Sequence, residues 1–355
     1  MKVSIVTINY NNVEGLKRTL ASVAEQGYRD IEHIIIDGGS TDGSVDIIRD
    51  YENTIKQSVT INQSTIQVKW VSEHDNGIYN AMNKGLEIAL GRRVVNSFNR
   101  SELVEDKHGE ADRPEQSGVE NKDIEIALGR RIVNTDHTTS SNSLNVNRST
   151  LNESQSDYIQ ILNSGDILAA DDVSERMVNA LHSFTRSTLN DKIDVPILYG
   201  NMIKKDYTTG KIIGKSKEVD YSLRQYYAST MNHDCCYIRR DVYEKYGLYD
   251  ENLKIVSDWK WFSQAIGLGN VKPVYVDIDV TIFDCSGISE TNLELRNKER
   301  RQVLEEVLPP AILADYDRYA FPMEQYNRLK KYHLWPIVYF MERVLFKLNK
   351  WHILR

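Results

Sequence analysis

The chain has 355 residues, 41% hydrophobic and 27% charged, with a net charge of -7. That length fits one large domain or two modest ones with a real core, and the acidic balance argues against nucleic acid as a partner. Three cysteines, Cys235, Cys236 and Cys285, are too few and too oddly placed for a disulfide framework or a four-thiolate zinc site, and a reduced, cytoplasmic compartment is expected. The first apolar run is too short for a signal-peptide core, and no stretch approaches the ~18–20 apolar residues of a membrane span.

Val3 to Ile8 is a β-branched run ending in Asn9-Tyr10-Asn11-Asn12, a strand followed by a loop. Leu16, Leu20 and Val23 recur at helical spacing, with Gly27 just past the end. A second strand, Ile31 to Ile36, stops at the DGGSTDGS turn of residues 37–44, where Thr41, Asp42 or Ser44 can cap the helix that begins at Val45. Ile66 to Val71 is a third strand, closed by SEHDNG (72–77), and a helix from Ile78 to Leu90 follows. Strand–helix alternation with near-continuous apolar strands predicts an α/β fold with a mixed, mainly parallel sheet covered by helices on both faces.

The next strand, Asp157 to Leu162, comes only after a polar stretch at 92–156. That stretch holds a duplication: residues 83–96 return at 121–134 with 11 of 14 positions identical. Two copies are too few for a solenoid, so 92–156 reads as a segmental duplication inserted into an existing domain. A surface excursion with a spare helix near 124–128 is favoured over a functional lid.

Beyond Asp166 the pattern predicts a helix at 173–184, a strand near 195–199, a hairpin at 205–211, strands at 271–276 and 280–283, and a helix at 292–308 before Pro309-Pro310. The catalytic part is thus expected over 1–290 and a helical, basic extension over 291–355. In 326–355, seven Lys/Arg face one acidic residue, Glu342, with Trp335, Phe340, Phe346 and Trp351 among them. That composition suits either docking on an anionic membrane surface or a terminal helix packed on the domain.

Asp37, Asp75 and Asp166 each closely follow an apolar strand. In open parallel sheets ligands sit outside the carboxyl ends of the strands, and carboxylates gathered there suit a hard divalent cation with a phosphorylated ligand. Gly210 to Ser216 looks like a phosphate loop, but its glycine spacing and context are wrong, and no G-x-G-x-x-G occurs.

Together VSIVTINYNN, DGGSTDGS, SEHDNGIYNAMNKG and LNSGD resemble a family 2 glycosyltransferase of the A-type, Rossmann-like nucleotide-sugar fold. The likeness runs from Met1 to about Ser289, interrupted by 92–156. It implies that Thr7 and Asn9 seat the nucleotide, that Asp37 with Ser40 holds base and ribose, and that Asp75 is a second base-side contact. Asn83 and Lys84 match the family's NKG, with the lysine toward the diphosphate. Asp166, after Ser164 and Gly165, corresponds to the last Asp of the metal motif, implying Mg²⁺ or Mn²⁺. The commoner first Asp of that motif is here Ser164.

Asp258, in SDWKWF, resembles the catalytic base; an Asp before an aromatic helix can also be an N-cap. His233 resembles a residue touching the diphosphate or acceptor. The resemblance implies an inverting hexosyl- or N-acetylhexosaminyl-transferase of polysaccharide or cell-envelope biosynthesis. Its donor would be a UDP-sugar or other nucleotide sugar, and its acceptor a saccharide or lipid-linked hydroxyl. A sugar nucleotidyltransferase is disfavoured because Tyr10 to Val13 offers no Gly-rich basic loop; a catalytically inactive, membrane-associated assembly module is the other alternative.

Overall fold

In the first two strands every residue is buried, which is why their sequences are apolar runs rather than alternating ones. The computed structural model describes residues 1–58, 66–95, 157–186, 193–219, 222–285 and 292–350. β1 (Val3–Asn9) and β2 (Ile31–Asp37) pair in parallel with Asn9 opposite Asp37. β3 (Gln67–Ser72) joins β2 in parallel with Ser72 opposite Asp37, and β4 (Tyr158–Ile161) joins β1 in parallel on the other side. The polar strand-end residues therefore line up along one edge.

The crossovers are α1 (Val13–Ala24), α2 (Ser44–Ser58) and α3 (Ile78–Ala89). Asn12 caps α1 by accepting from Gly15 N at 3.1 Å. Of the three cap candidates for α2, Asp42 does the work: its Oδ1 accepts from Ser44 N and from Ser44 Oγ.

The second half continues the sheet with both polarities. Its elements are β5 (Ile167–Leu168), α4 (Val173–Arg186), β6 (Ile197–Asp206), β7 (Lys211–Lys215), α5 (Leu223–Ala228), β8 (Cys236–Arg239), α6 (Arg240–Tyr246), α7 (Ser257–Phe262) and β9 (Pro273–Asp284). Strand order is β3-β2-β1-β4-β8-β6-β9-β5, with β7 paired to β6. β8 is antiparallel to both β4 and β6, while β9 runs parallel to β6. The expected hairpin is present, and residues 210–216 belong to it and to β7 rather than to a phosphate loop.

Two expected strands at 271–276 and 280–283 prove to be the single strand β9. The polar break at Asp277 and Asp279 is not a turn. Both carboxylates accept from Asn201 Nδ2, at 2.8 and 3.1 Å, where the β6–β9 register is irregular.

Helices Leu293–Val307, Pro310–Lys331 and Trp335–Lys350 follow. The first packs against the segment that leads into α7, forming a cluster of Leu253, Ile255, Val256, Trp259 and Val303. Val303 is fully buried there, a contribution of ~1.5–3 kcal/mol relative to exposure. The described residues lie in one compact unit, 1–97 with 154–355. The inserted duplication at 92–156, with its spare helix near 124–128, falls outside them from residue 96 onward.

Candidate active site

Asp37 ends β2 and is completely buried. Its Oδ1 accepts from Asn9 Nδ2 (2.8 Å) and Ser40 Oγ (2.6 Å); its Oδ2 accepts from Ser40 N (2.9 Å) and Ser72 Oγ (2.7 Å). Four donors compensate a charge that would otherwise be costly to bury. With both oxygens so occupied, Asp37 fixes the Ser40 loop and the ends of β1 and β3. Ser40 Oγ in turn accepts from Asn11 N at 2.8 Å, binding that loop to the turn after β1.

Asp75 stands beside this network. Its Oδ1 accepts from Gly77 N at 2.9 Å, and a Cβ added to Gly38 would lie 2.4 Å from its Oδ2. Glycine at 38 leaves room for the Asp75 carboxylate in this position. Lys84 Nζ donates to His74 O (2.9 Å) and pairs with Glu73 (2.8 Å), so its ammonium braces the turn that carries Asp75. Lys254 Nζ reaches Asn76 O at 3.4 Å from the opposite half of the molecule.

The next stretch of the rim is the Ser164-Gly165-Asp166 turn after β4. Asn12 Nδ2 donates to Ser164 O at 3.0 Å, joining it to the turn after β1. Gly165 has φ +109, a left-handed conformation that L side chains rarely adopt, and its N–H donates to Thr19 Oγ1 at 2.9 Å. That kink turns Asp166 inward, where Oδ1 accepts from Asp284 N at 2.9 Å. Burial, then the nearby Asp234 carboxylate, pushes the Asp166 pKa well above the usual carboxylate range. Asp234 itself is raised by burial, although His233 and the Thr281 hydroxyl oppose this.

Among the described residues no group of three or more His, Cys, Asp and Glu is placed to hold a metal ion. The chemistry at Asp166 nonetheless fits one hard cation with an incomplete protein shell. It presents a buried carboxylate whose charge is disfavoured by neighbouring carboxylates, which a divalent ion would offset, leaving coordination positions for ligand oxygens and water.

Asp258 closes the site. It is not the α7 cap, since Val256 holds that position and Asp258 lies in the helix's first turn. Its Oδ1 is 2.9 Å from the Tyr79 hydroxyl, which also reaches Ile255 O at 2.6 Å; its Oδ2 is 3.2 Å from His233 Nδ1. Burial works to raise the Asp258 pKa, but the hydrogen bond and charge of His233, with Tyr79, hold it below the ordinary value. Burial likewise works against charge on His233, yet Asp258, with Asp234 and Asp166 behind it, holds its pKa above the ordinary value.

His233 Nε2 lies 3.2 Å from Asn163 Nδ2, while Asn163 Oδ1 has no hydrogen-bond partner among the described residues. Exchanging the amide's O and N, an orientation decided by the hydrogen-bond network, lets a protonated His233 donate to Asn163 Oδ1. Asn163 O accepts from Asp166 N at 3.1 Å. The base candidate is thus connected, through His233 and Asn163, to the backbone of the turn that carries Asp166.

The structure therefore brings Asn9, Asp37, Ser40, Asp75, Ser164, Gly165, Asp166, His233 and Asp258 onto one rim. Thr7 and Asn83 stand apart from it. Thr7 faces the core, where Oγ1 is 2.9 Å from His33 Nε2; burial lowers the His33 pKa to about 3, so that ring is neutral. Asn83 is consumed by the interior: Nδ2 donates to Tyr249 O and Glu251, and Oδ1 accepts from Tyr249 N. It locks α3 to the second half of the chain. Sequence reasoning missed Tyr79, Asn163, Asp234 and Asp284. Asp284 ends an apolar strand just as Asp37 does, a signal obscured when β9 is read as two pieces.

Residues 4–97 match the family described as Glycosyl transferase family 2. Over this segment the chain is similar to family 2 glycosyltransferases. Over 90 residues it is 42% identical to an uncharacterized glycosyltransferase of Mycobacterium tuberculosis, a match covering 25% of this chain and 30% of that protein. Over 88 residues it is 33% identical to a PGL/p-HBAD biosynthesis glycosyltransferase of Mycobacterium bovis, covering 25% and 31%. The chain thus spans under a third of the length of these curated relatives. Among solved structures, S. aureus TarS 1-349 in complex with UDP-GlcNAc superposes with a TM-score of 0.51 at 12% identity, over 86% of this chain and 64% of that one. The likeness is one of fold, and it is the fold expected of the family.

Proposed function

We propose that the chain transfers a glycosyl group from a nucleoside diphosphate sugar to an acceptor hydroxyl by single displacement, inverting the anomeric centre. The observation that carries this reading is the connected path Tyr79–Asp258–His233–Asn163, which ends beside Asp166. It couples a carboxylate held ionised to the end of the rim where a diphosphate would be neutralised. The donor class is supported by the family match and by the UDP-GlcNAc bound to the structural neighbour.

In this reading the nucleoside lies along the turns that carry Asp37, Ser40 and Asp75. Asp37 acts through Ser40 and Asn9, whose positions it fixes, and Asp75 Oδ2 faces the base side. The acceptor oxygen forms its bond to the anomeric carbon as the bond to the diphosphate breaks, and the hydroxyl proton passes to Asp258. General-base help of this kind supplies typically ~10²–10⁴-fold. A divalent cation, Mg²⁺ or Mn²⁺, held by Asp166 would offset charge growing on the leaving diphosphate.

His233 steadies the Asp258 carboxylate before it takes up the proton, and Tyr79 fixes its orientation. A hexosyl or N-acetylhexosaminyl donor and a saccharide or lipid-linked acceptor in cell-envelope polysaccharide assembly complete the proposal.

The test is to incubate the full chain with a panel of nucleotide sugars and Mn²⁺ and follow nucleotide release. Slow hydrolysis of at least one donor, lost in Asp258→Asn, is expected. No turnover with any donor would instead favour the inactive assembly module.

A further inference from the structure

The last two helices present apolar side chains that the described chain leaves in the open. Helix Pro310–Lys331 turns into helix Trp335–Lys350 at a T-shaped contact between Tyr326 and Trp335, 4.5 Å between ring centroids. Beyond that contact Leu334, Ile337, Phe340, Met341, Leu345 and Phe346 are between 44 and 72% exposed. Scattered apolar residues on a surface need no explanation, but a contiguous group of this size on one hairpin marks an interaction site.

The arrangement of charge says what kind. At about 3.6 residues per turn, Ile337, Met341, Val344 and Leu345 fall on one side of the helix, while Arg343 and Lys347, one turn apart and exposed, lie together along one flank and Glu342 along the other. The Arg343 guanidinium lies 5.9 Å from the centre of the Tyr339 ring, so the cation borders an aromatic surface. Lys330 and Lys331 are exposed at the turn into the helix. An apolar side with long basic chains along one flank and at the turn into the helix matches a bilayer interface, whose acyl layer takes the former and whose lipid phosphates take the latter. A second copy of the chain would bring like charges together along that flank.

We propose that helix Trp335–Lys350 lies in the plane of an anionic lipid surface. Its Ile337, Met341, Val344 and Leu345 side is immersed, and Arg343, Lys347, Lys330 and Lys331 rest on lipid phosphates. No described helix is long and apolar enough to cross a membrane, so the helix lies on the bilayer rather than through it. The docking does not depend on sugar transfer; where both hold, it brings the rim to acceptors embedded in the same surface.

The test is flotation of the full chain with vesicles of three parts phosphatidylcholine to one part phosphatidylglycerol, beside vesicles of phosphatidylcholine alone. The chain should float with the anionic vesicles at low salt, bind the neutral ones at least tenfold less, and come off as salt is raised. Ile337→Asp with Met341→Asp should abolish flotation, and Arg343→Glu with Lys347→Glu should weaken it tenfold or more. All four sites are exposed, so unchanged circular dichroism and unchanged donor hydrolysis should accompany the loss. Failure of the wild-type chain to float, equal binding to neutral vesicles, or a dimer in light scattering that the Met341→Asp change dissolves would each overturn the proposal.

Discussion

Asp258 Oδ2 and His233 Nδ1 lie 3.2 Å apart, from elements 25 residues apart in sequence. The hydrogen bond and charge of His233 hold the carboxylate's pKa below its ordinary value against burial, and Tyr79 holds its other oxygen. Asp258→Asn keeps the size and the contacts but removes the proton acceptor. Transfer should fall by roughly 10²–10⁴-fold while nucleotide binding, read by thermal shift, stays within twofold. Retained transfer would remove Asp258 as the base.

The same pair makes stability depend on pH in a predictable direction. His233 has a folded-state pKa above its ordinary 6.5, so its contribution is complete below that value and fades as pH rises through the folded value. Asp258 is depressed below its ordinary 3.8, so its contribution is present above that value and fades as pH falls through the folded value. The stability difference between wild type and His233→Gln should therefore be largest between the two ordinary values and shrink on the alkaline side. Denaturant melts across that range measure it; a difference that grows with alkalinity would contradict the assignment.

Gly38 tests the approach of two rim turns. A Cβ there would meet Asp75 Oδ2 at 2.4 Å, so Gly38→Ala must displace the Asp75 carboxylate. Nucleotide affinity should drop at least tenfold, with a smaller effect on melting temperature. Unaltered affinity in a calorimetric titration would place the nucleotide elsewhere.

Glu299 is a positioning residue for the base. Its carboxylate accepts from Lys254 N at 2.7 Å and Ile255 N at 2.9 Å, just ahead of Asp258. Glu299→Ala orphans two amides, at about 1–3 kcal/mol each if they stay buried. It should lower kcat more than donor affinity, and Glu299→Gln, which keeps an acceptor, should recover part of both. A variant whose donor affinity collapses while kcat holds would assign Glu299 to binding instead.

Mn²⁺ should raise the melting temperature of the wild-type chain in the presence of a nucleoside diphosphate, and Asp166→Asn should remove that increment. Asp166 is the buried carboxylate of its turn, and Ser164 beside it supplies only a hydroxyl. An increment unchanged in Asp166→Asn would move the cation to other ligands.

The first half of the fold was legible because β1, β2 and β4 are buried on both faces and the strands stop at polar turns that must leave the sheet; Asp37 and Asp166 inherit their positions from that rule. Thr7 shares a face of β1 with Asn9, two residues on, but sits deeper along the strand. Asn9 ends β1 at the rim, whereas the Thr7 hydroxyl meets His33 in the core. Asn83 sits in a recognisable motif, but its partners, Tyr249 and Glu251, are more than 160 residues away. Local pattern does not reveal such pairings. Tyr79 and Asn163 were missed for the same reason, since their roles exist only once α3, β4 and α7 have met.

The most direct measurement is calorimetric titration of the full chain with nucleoside diphosphate sugars in Mn²⁺, comparing wild type with Asp75→Asn and Asp166→Asn. At least one donor should bind the wild-type chain, and both substitutions should weaken it tenfold or more, because they bracket one ligand on one rim. Binding that ignores both substitutions, or no binding of any donor, would contradict the account.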